Sequence, residues 1–452
     1  MYPPVVALAG LLGLLAPSLA HADSPWLDGA PAAVTDDTPR PLVGFQVRGD
    51  SKVTSRTLRY LARATPGELV TANDLPRFHA ALLSSELFKT IAVTLERSGD
   101  GVILVATVDD KHSWIIVPTL YVLSGYKSVG LGFAENNLAG ENRKLLLYAQ
   151  LGDLDSFFFG TYLDPSVRGT RWTMRFDLYP LRRRIYEFAN PTTAPGSIDV
   201  ARETTLTFLN AGILVGYNVA WWLTADARLR GAYVYFRDAQ LDDGTPTTSP
   251  EIDGWDVTMQ GRITIDRRDR DRGVARGGYL QLTLESSIPG LDTYGYQVGF
   301  LRAYYNFRLF STHHLEFRAS LAAGRHLPLH EELALGGPTN LRGYLFDQFR
   351  GDTRVFAKAE YSVPVFRYRW LAFRALGFVD TGAIGYRYRR PSGRDYLSPT
   401  ADAGAGWWRN DVGGGMRVYL NNIVLPLLGF DIGYGLERKE TAFYLQVGLT
   451  DF

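Results

Sequence analysis

From Trp114 to Phe452 the sequence keeps a two-residue period and shows almost no helical one. In Leu280-Gln-Leu-Thr-Leu-Glu285 the leucines share one side, with Gln281, Thr283 and Glu285 on the other. Leu315, Phe317, Ala319 and Leu321 alternate with Glu316, Arg318 and Ser320, and Val355, Ala357, Ala359 and Tyr361 with Arg354, Lys358 and Glu360. The last run sets Phe443, Leu445, Val447 and Leu449 against Tyr444, Gln446, Gly448 and Thr450. This period places successive side chains on opposite faces of a strand, so each segment has a greasy face and a wet one. A soluble sandwich alternates in the same way. Three further features select a membrane-spanning barrel. The segments run about 9–15 residues, enough to cross a bilayer when tilted. No stretch after Ala22 approaches the roughly 18 apolar residues of a spanning helix. Trp221-Trp222, Trp255, Trp370 and Trp407-Trp408 fall at segment ends, where interfacial girdles lie. About sixteen segments can be counted, an even number that closes a barrel with both ends on one side and pairs every backbone group.

The fold class expected is therefore mainly β: an antiparallel transmembrane barrel of about 16 strands over 112–452, preceded by one small α+β domain. Residues 1–22 read as an export signal, with an apolar run from about Val5 to Leu15 and the Ala20-His21-Ala22 cleavage pattern. Its basic leading region is missing. Residues 23–40, rich in Pro, Ala and Asp, read as a flexible leader. Over 41–110 the pattern changes. Val43–Val47 alternates as a strand, and Thr54-Ser55 caps a helix through Leu58, Leu61 and Ala62. A second helix fits 71–87, with Leu75, Phe78, Ala81, Leu82 and Phe88 on one face. Ile91–Leu95 and Val102–Val108 form a hairpin around Ser98-Gly-Asp-Gly101.

This β-α-α-β-β order resembles the POTRA domain, a periplasmic transport-associated module, through FQVRGDSKV, ELFKTIAV and DGVILVATVDD. With the barrel behind it, the chain resembles the BamA/TamA superfamily of outer-membrane assembly and secretion barrels. The motifs are Thr264–Asp269 followed by Gly277–Leu280, Leu341-Arg-Gly-Tyr344, Lys358-Ala-Glu-Tyr361 and Gly377-Phe-Val-Asp-Thr-Gly382. Each is weak alone, but their order and spacing are specific. Alternation turns Glu360 inward, and because Phe373, Ala375, Gly377 and Val379 face lipid, Asp380 points inward too. The resemblance implies that a loop over about 327–352 folds into the lumen and brings Arg342 to both carboxylates. A planar guanidinium can bridge two such groups. Gly343 lets the loop tip turn tightly, Gly336-Gly337-Pro338 sets its re-entry bend, and Tyr344 completes the motif.

At the seam, Pro118 lies in the first strand, WIIVPTLYV, where a missing N–H suits an edge. The chain ends Gly448-Leu-Thr-Asp-Phe452, which resembles the C-terminal aromatic signal of such barrels. Strict alternation would turn Phe452 off the lipid face, so the strand end must bend or its pairing must stop early. Several other clusters read blandly. Asp266–Arg272 is a mixed-sign periplasmic turn, Asp153-Leu-Asp155 is a turn, and His313-His314 lacks a third ligand for a metal. No nucleophile, metalloprotease or phosphate-loop motif is present, so no catalytic site and no cofactor are expected. A net charge of +1 gives no support for a nucleic-acid partner, and with 0 Cys disulfides are excluded.

What the resemblance implies is a non-enzymatic factor of the bacterial outer membrane that inserts or exports β-rich polypeptides. Its small domain lies in the periplasm, and its partners are the lipid bilayer and unfolded polypeptides captured along a strand edge. Periplasmic or lipoprotein partners are left open. A single POTRA-like module departs from the general assembly factor and favours a specialised or accessory member. The alternatives are a two-partner-secretion pore for one substrate and a passive porin or surface receptor.

Overall fold

The computed structural model describes residues 33–85, 87–123, 125–189, 199–271, 274–310, 312–368, 371–387, 408–420 and 426–448. The export signal, most of the leader, Phe452, Trp370 and Trp407 lie outside them.

The N-terminal unit comprises β1 (Arg40–Arg48), α1 (Ser55–Leu61), β2 (Leu69–Val70), α2 (Leu75–Leu83), β3 (Phe88–Ser98) and β4 (Gly101–Asp110). Its sheet runs β2-β1-β4-β3, with β1 parallel to β4. Thr54 caps α1 by accepting the Thr57 N–H at 3.2 Å. Leu42, Leu58, Phe78, Leu82 and Leu104 form a fully buried core between helices and sheet. Two expectations change. The second helix ends at Leu83 rather than 87, because the Ser84 and Ser85 hydroxyls turn back onto the Ala80 and Leu82 carbonyls at 2.8 and 2.6 Å. Phe88 therefore belongs to a strand, not to the helix face. The described end of the leader is also pinned. Val34 donates its N–H to Leu95 at 2.7 Å, so Ala33-Val34 covers part of the outer edge of β3. Asp36 pairs with Arg40 at 2.7 Å, and that hydrogen bond holds its carboxyl well below the usual range.

Among the described residues the barrel closes with sixteen strands. β5 (Trp114–Leu123), β6 (Tyr126–Leu138), β7 (Arg143–Gly152) and β8 (Asp155–Asp164) precede three long strands, β9 (Trp172–Ala189), β10 (Asp199–Ala220) and β11 (Leu223–Leu241). β12 (Gly254–Asp266) resumes as β13 (Asp269–Asp271), and both pair with β14 (Val274–Ser287). β15 (Gln297–Leu309) and β16 (His313–Arg325) follow. A small hairpin of β17 (Leu333–Leu335) and β18 (Phe349–Gly351) then interrupts the wall. β19 (Thr353–Tyr368), β20 (Leu371–Gly385), β21 (Trp408–Leu420), β22 (Pro426–Gly435) and β23 (Glu440–Val447) complete it, and β23 pairs with β5.

The burial pattern separates this barrel from a soluble sandwich. Leu280, Leu282 and Leu284 are 41%, 41% and 59% exposed, while the intervening Gln281 and Thr283 are 4% and 7% exposed. Greasy side chains outside and polar ones within are stable only if lipid surrounds the wall. The strand lengths depart from expectation, since β9, β10 and β11 reach 18, 22 and 19 residues. About 9–11 residues cross a bilayer, so the far ends of these strands stand above it. There the inward side chains turn apolar, and Ile185, Leu206, Phe208, Val234 and Phe236 cluster with Leu329.

The small domain sits against the turns at the near end of β6 to β11. Arg59 donates to the Gly169 carbonyl at 2.6 Å, and the Arg63 guanidinium lies 5.0 Å from the Trp221 ring centre. A side chain at Gly140 would collide with the Lys52 carbonyl.

Candidate functional site

Residues 326–352 leave β16 and fold into the barrel. Gly336 and Gly337 take φ of +110° and +99°, a region that side chains other than glycine rarely adopt. They close a compact turn in which the Gly337 N–H donates to the Leu341 and Tyr344 carbonyls, each at 3.1 Å. Leu335, Leu341, Tyr344 and Phe349 pack with Tyr296, Val298, Phe356 and Ile384 from the wall. The loop thus has an apolar core of its own, and its one central cation is carried to a fixed place.

Arg342 is 2% exposed. Its Nε and Nη2 donate to the two Asp380 oxygens at 2.8 and 3.0 Å, and Nη1 donates to Glu360 Oε2 at 2.7 Å. The guanidinium lies 3.4 Å from the centre of the Phe378 ring. The structure therefore brings together Arg342, Glu360 and Asp380, three residues singled out from sequence. Gly343 donates its N–H to Asp411 at 3.0 Å, and a Cβ there would lie 2.5 Å from the Gly435 nitrogen. Close approach of loop to wall at this point requires glycine on both sides. Tyr344 hydrogen-bonds Glu437 through its hydroxyl, and its carbonyl accepts from the Tyr444 hydroxyl at 2.7 Å.

Sequence reasoning missed Asp411, Asp431, Glu437 and Tyr444. Asp431 lies 3.9 Å from Arg342 and pairs with Arg417 at 2.6 Å. The tip consequently touches β19, β20, β21, β22 and β23, the whole C-terminal side of the wall. Asp411 and Asp431 both occupy buried, inward positions of β21 and β22. Asp155 was also under-read. It opens β8, is buried, and binds Arg183 and the Tyr126 hydroxyl, each at 2.8 Å. His313 and His314 bond Tyr361 and Asn306, whereas the one three-residue group with metal-ligand spacing among the described residues is Asp256, His330 and Glu331.

Among the described residues the seam between β23 and β5 pairs at four positions. It comprises Tyr444↔Leu123, Leu445↔Val122, Gln446↔Tyr121 and Val447↔Leu120, whereas β22 and β23 pair from Leu428↔Val447 to Gly435↔Glu440. Next to these pairs Gly448 takes φ +96° and Pro118 offers no N–H. Pro118 and Gly448 lie close together: a Cβ on Gly448 would lie 2.8 Å from the Pro118 carbonyl oxygen.

Residues 137–450 match the Omp85 superfamily domain. No curated protein matches the sequence. The fold is similar to that of BamA from Haemophilus ducreyi lacking POTRA domains 1-3, with TM-score 0.60 and 14% identity, covering 92% of this chain and 90% of that one. It is also similar to CdiB from Acinetobacter baumannii, with TM-score 0.61 and 13% identity, covering 91% of this chain and 74% of that one. For CdiB from Escherichia coli the TM-score is 0.61 at 11% identity, with coverage of 90% and 76%. At these identities the likeness is one of fold.

Proposed function

This chain belongs to the Omp85 superfamily, and on that premise we propose that it inserts or exports β-rich polypeptides at the bacterial outer membrane as a specialised or accessory member. The observation that carries the reading is the seam between β5 and β23, the two ends of the barrel, with the loop tip beside it. β5 and β23 are far apart in sequence and joined by no turn, so their ladder can part without straining a connecting loop. An opened β5 edge offers unpaired N–H and C=O groups on which an incoming strand can form. Tyr444 links the two features, since it sits in the seam ladder and also bonds the Tyr344 carbonyl. Arg342, Glu360 and Asp380 act as a lumenal latch that holds the loop against the last strands while the seam works.

The small domain faces the periplasm in this reading, and a client segment adds to the edge of β3 not covered by Ala33-Val34. The chemistry is positioning and strand templating, with no covalent step. Purified protein in liposomes tests it. An insertase accelerates the folding of a second, urea-unfolded barrel. Passage of one cognate substrate across the liposome, without acceleration, identifies a secretion pore. Ion conduction alone identifies a porin and overturns the reading.

A further inference from the structure

A second buried charge cluster holds the other end of the loop, on a different sector of the wall. Arg230 on β11 is 2% exposed and contacts groups from four directions. It donates to both Asp256 oxygens at 2.8 and 2.9 Å on β12, and its Nη2 lies 3.2 Å from Glu285 on β14. It also meets the Tyr296 hydroxyl just before β15 at 2.5 Å. Its Nη1 donates to Glu331 Oε1 at 3.0 Å, and Glu331 belongs to the loop. The neighbouring loop residue, His330, places Nε2 3.0 Å from Asp256, with its ring among Phe208, Phe236 and Tyr294. Leu329 beside it is fully buried.

One guanidinium thus faces three carboxylates, of which Asp256 and Glu285 are fixed on strands. Glu331 alone sits on the loop rather than on the wall. Like charges this close in a confined space repel strongly once the cation between them is gone.

We propose that Arg230 is a positioning residue that fastens the base of the lumenal loop through Glu331, so that the loop spans the lumen held at both ends. The Arg342 cluster fixes the tip on β19 to β23, and the Arg230 cluster fixes the base on β11 to β15. Release of the base alone leaves an arm hinged at the tip. Opening the lumen and opening the seam are then separately controlled.

The chain contains 0 Cys, so one introduced thiol reports without background. Leu329→Cys is protected from a membrane-impermeant maleimide while the base is fastened. Arg230→Met in that background raises the labelling rate by at least about tenfold, as expected when a buried contact becomes locally open. Arg230→Lys keeps a charge and stays slow. Adding Glu331→Gln to Arg230→Met raises the rate no further, because both changes break the same contact, whereas generic loosening of the wall would add to it. Where Arg230→Met fails to assemble, Glu331→Ala leaves the wall intact and by itself exposes the thiol at position 329. Unchanged labelling in Arg230→Met or in Glu331→Ala overturns the proposal, as does a double variant that labels several-fold faster than Arg230→Met. The readout is independent of client insertion, so it stands or falls apart from the proposed function.

Discussion

Arg342→Ala abolishes activity in the liposome folding assay and lowers barrel stability by about 3–5 kcal/mol, the usual result of removing one partner from a buried charge cluster. The size follows from what is left behind. Asp380 is 0% exposed and loses two hydrogen bonds, and Glu360 and the nearby Asp411 lose the cation between them. Arg342→Lys rescues only in part, because a point charge cannot hold Asp380 with two parallel bonds while reaching Glu360. Arg77→Ala is the control. Its pair with Glu68 spans 2.6 Å but is largely exposed, and such pairs contribute roughly 0–1 kcal/mol. Heat-modifiability on gels and urea midpoints measure the difference. An Arg342→Ala chain with wild-type mobility and full activity would remove the latch from the account.

The second large effect is at the seam. Leu120 and Val447 are directly opposed in its ladder, and opposed antiparallel Cα atoms lie about 4.5–5.5 Å apart, within disulfide range. With Leu120→Cys and Val447→Cys, oxidation closes the seam and folding of the second barrel falls to the rate in empty liposomes. Reduction restores it. The same pair at Leu428 and Val447, on β22 and β23, crosslinks strands that have no need to part and leaves activity intact. Undiminished activity in the oxidised seam variant would place the client path elsewhere.

Alternation made the wall legible, including the inward aim of Glu360 and Asp380. What it hid has particular causes. Asp411 lies in Trp408–Leu420 beside Gly413-Gly414-Gly415, and Asp431 shares its inward face with Gly429, Gly433 and Gly435. Glycine has no side chain to mark a face, so the inward carboxylates stood without a readable pattern. Gly433 and Gly435 are there because the loop backbone comes so close, whereas Gly413 and Gly415 leave room for the Phe378 ring and the Asp431 carboxylate. A Cβ at Gly433 would collide with the Arg342 carbonyl. The Arg230 cluster was hidden by distance along the chain, since Glu331 follows it by 101 positions in a loop with no period. The length of β9 to β11 escaped notice because their far ends point apolar groups inward, reversing the sense of the alternation that marked the membrane band.

The most direct test of strand templating follows a client in transit. Single cysteines at Val447, on the seam, and at Arg302, facing the lumen on β15, are compared in the otherwise cysteine-free chain. The probe is a second unfolded barrel with one cysteine in its terminal strand, trapped during assembly in liposomes. Seam templating predicts mixed disulfides at position 447 that appear and decay as the second barrel folds, with none at 302. Adducts confined to position 302 would show a client passing through the lumen, and would contradict an opening wall.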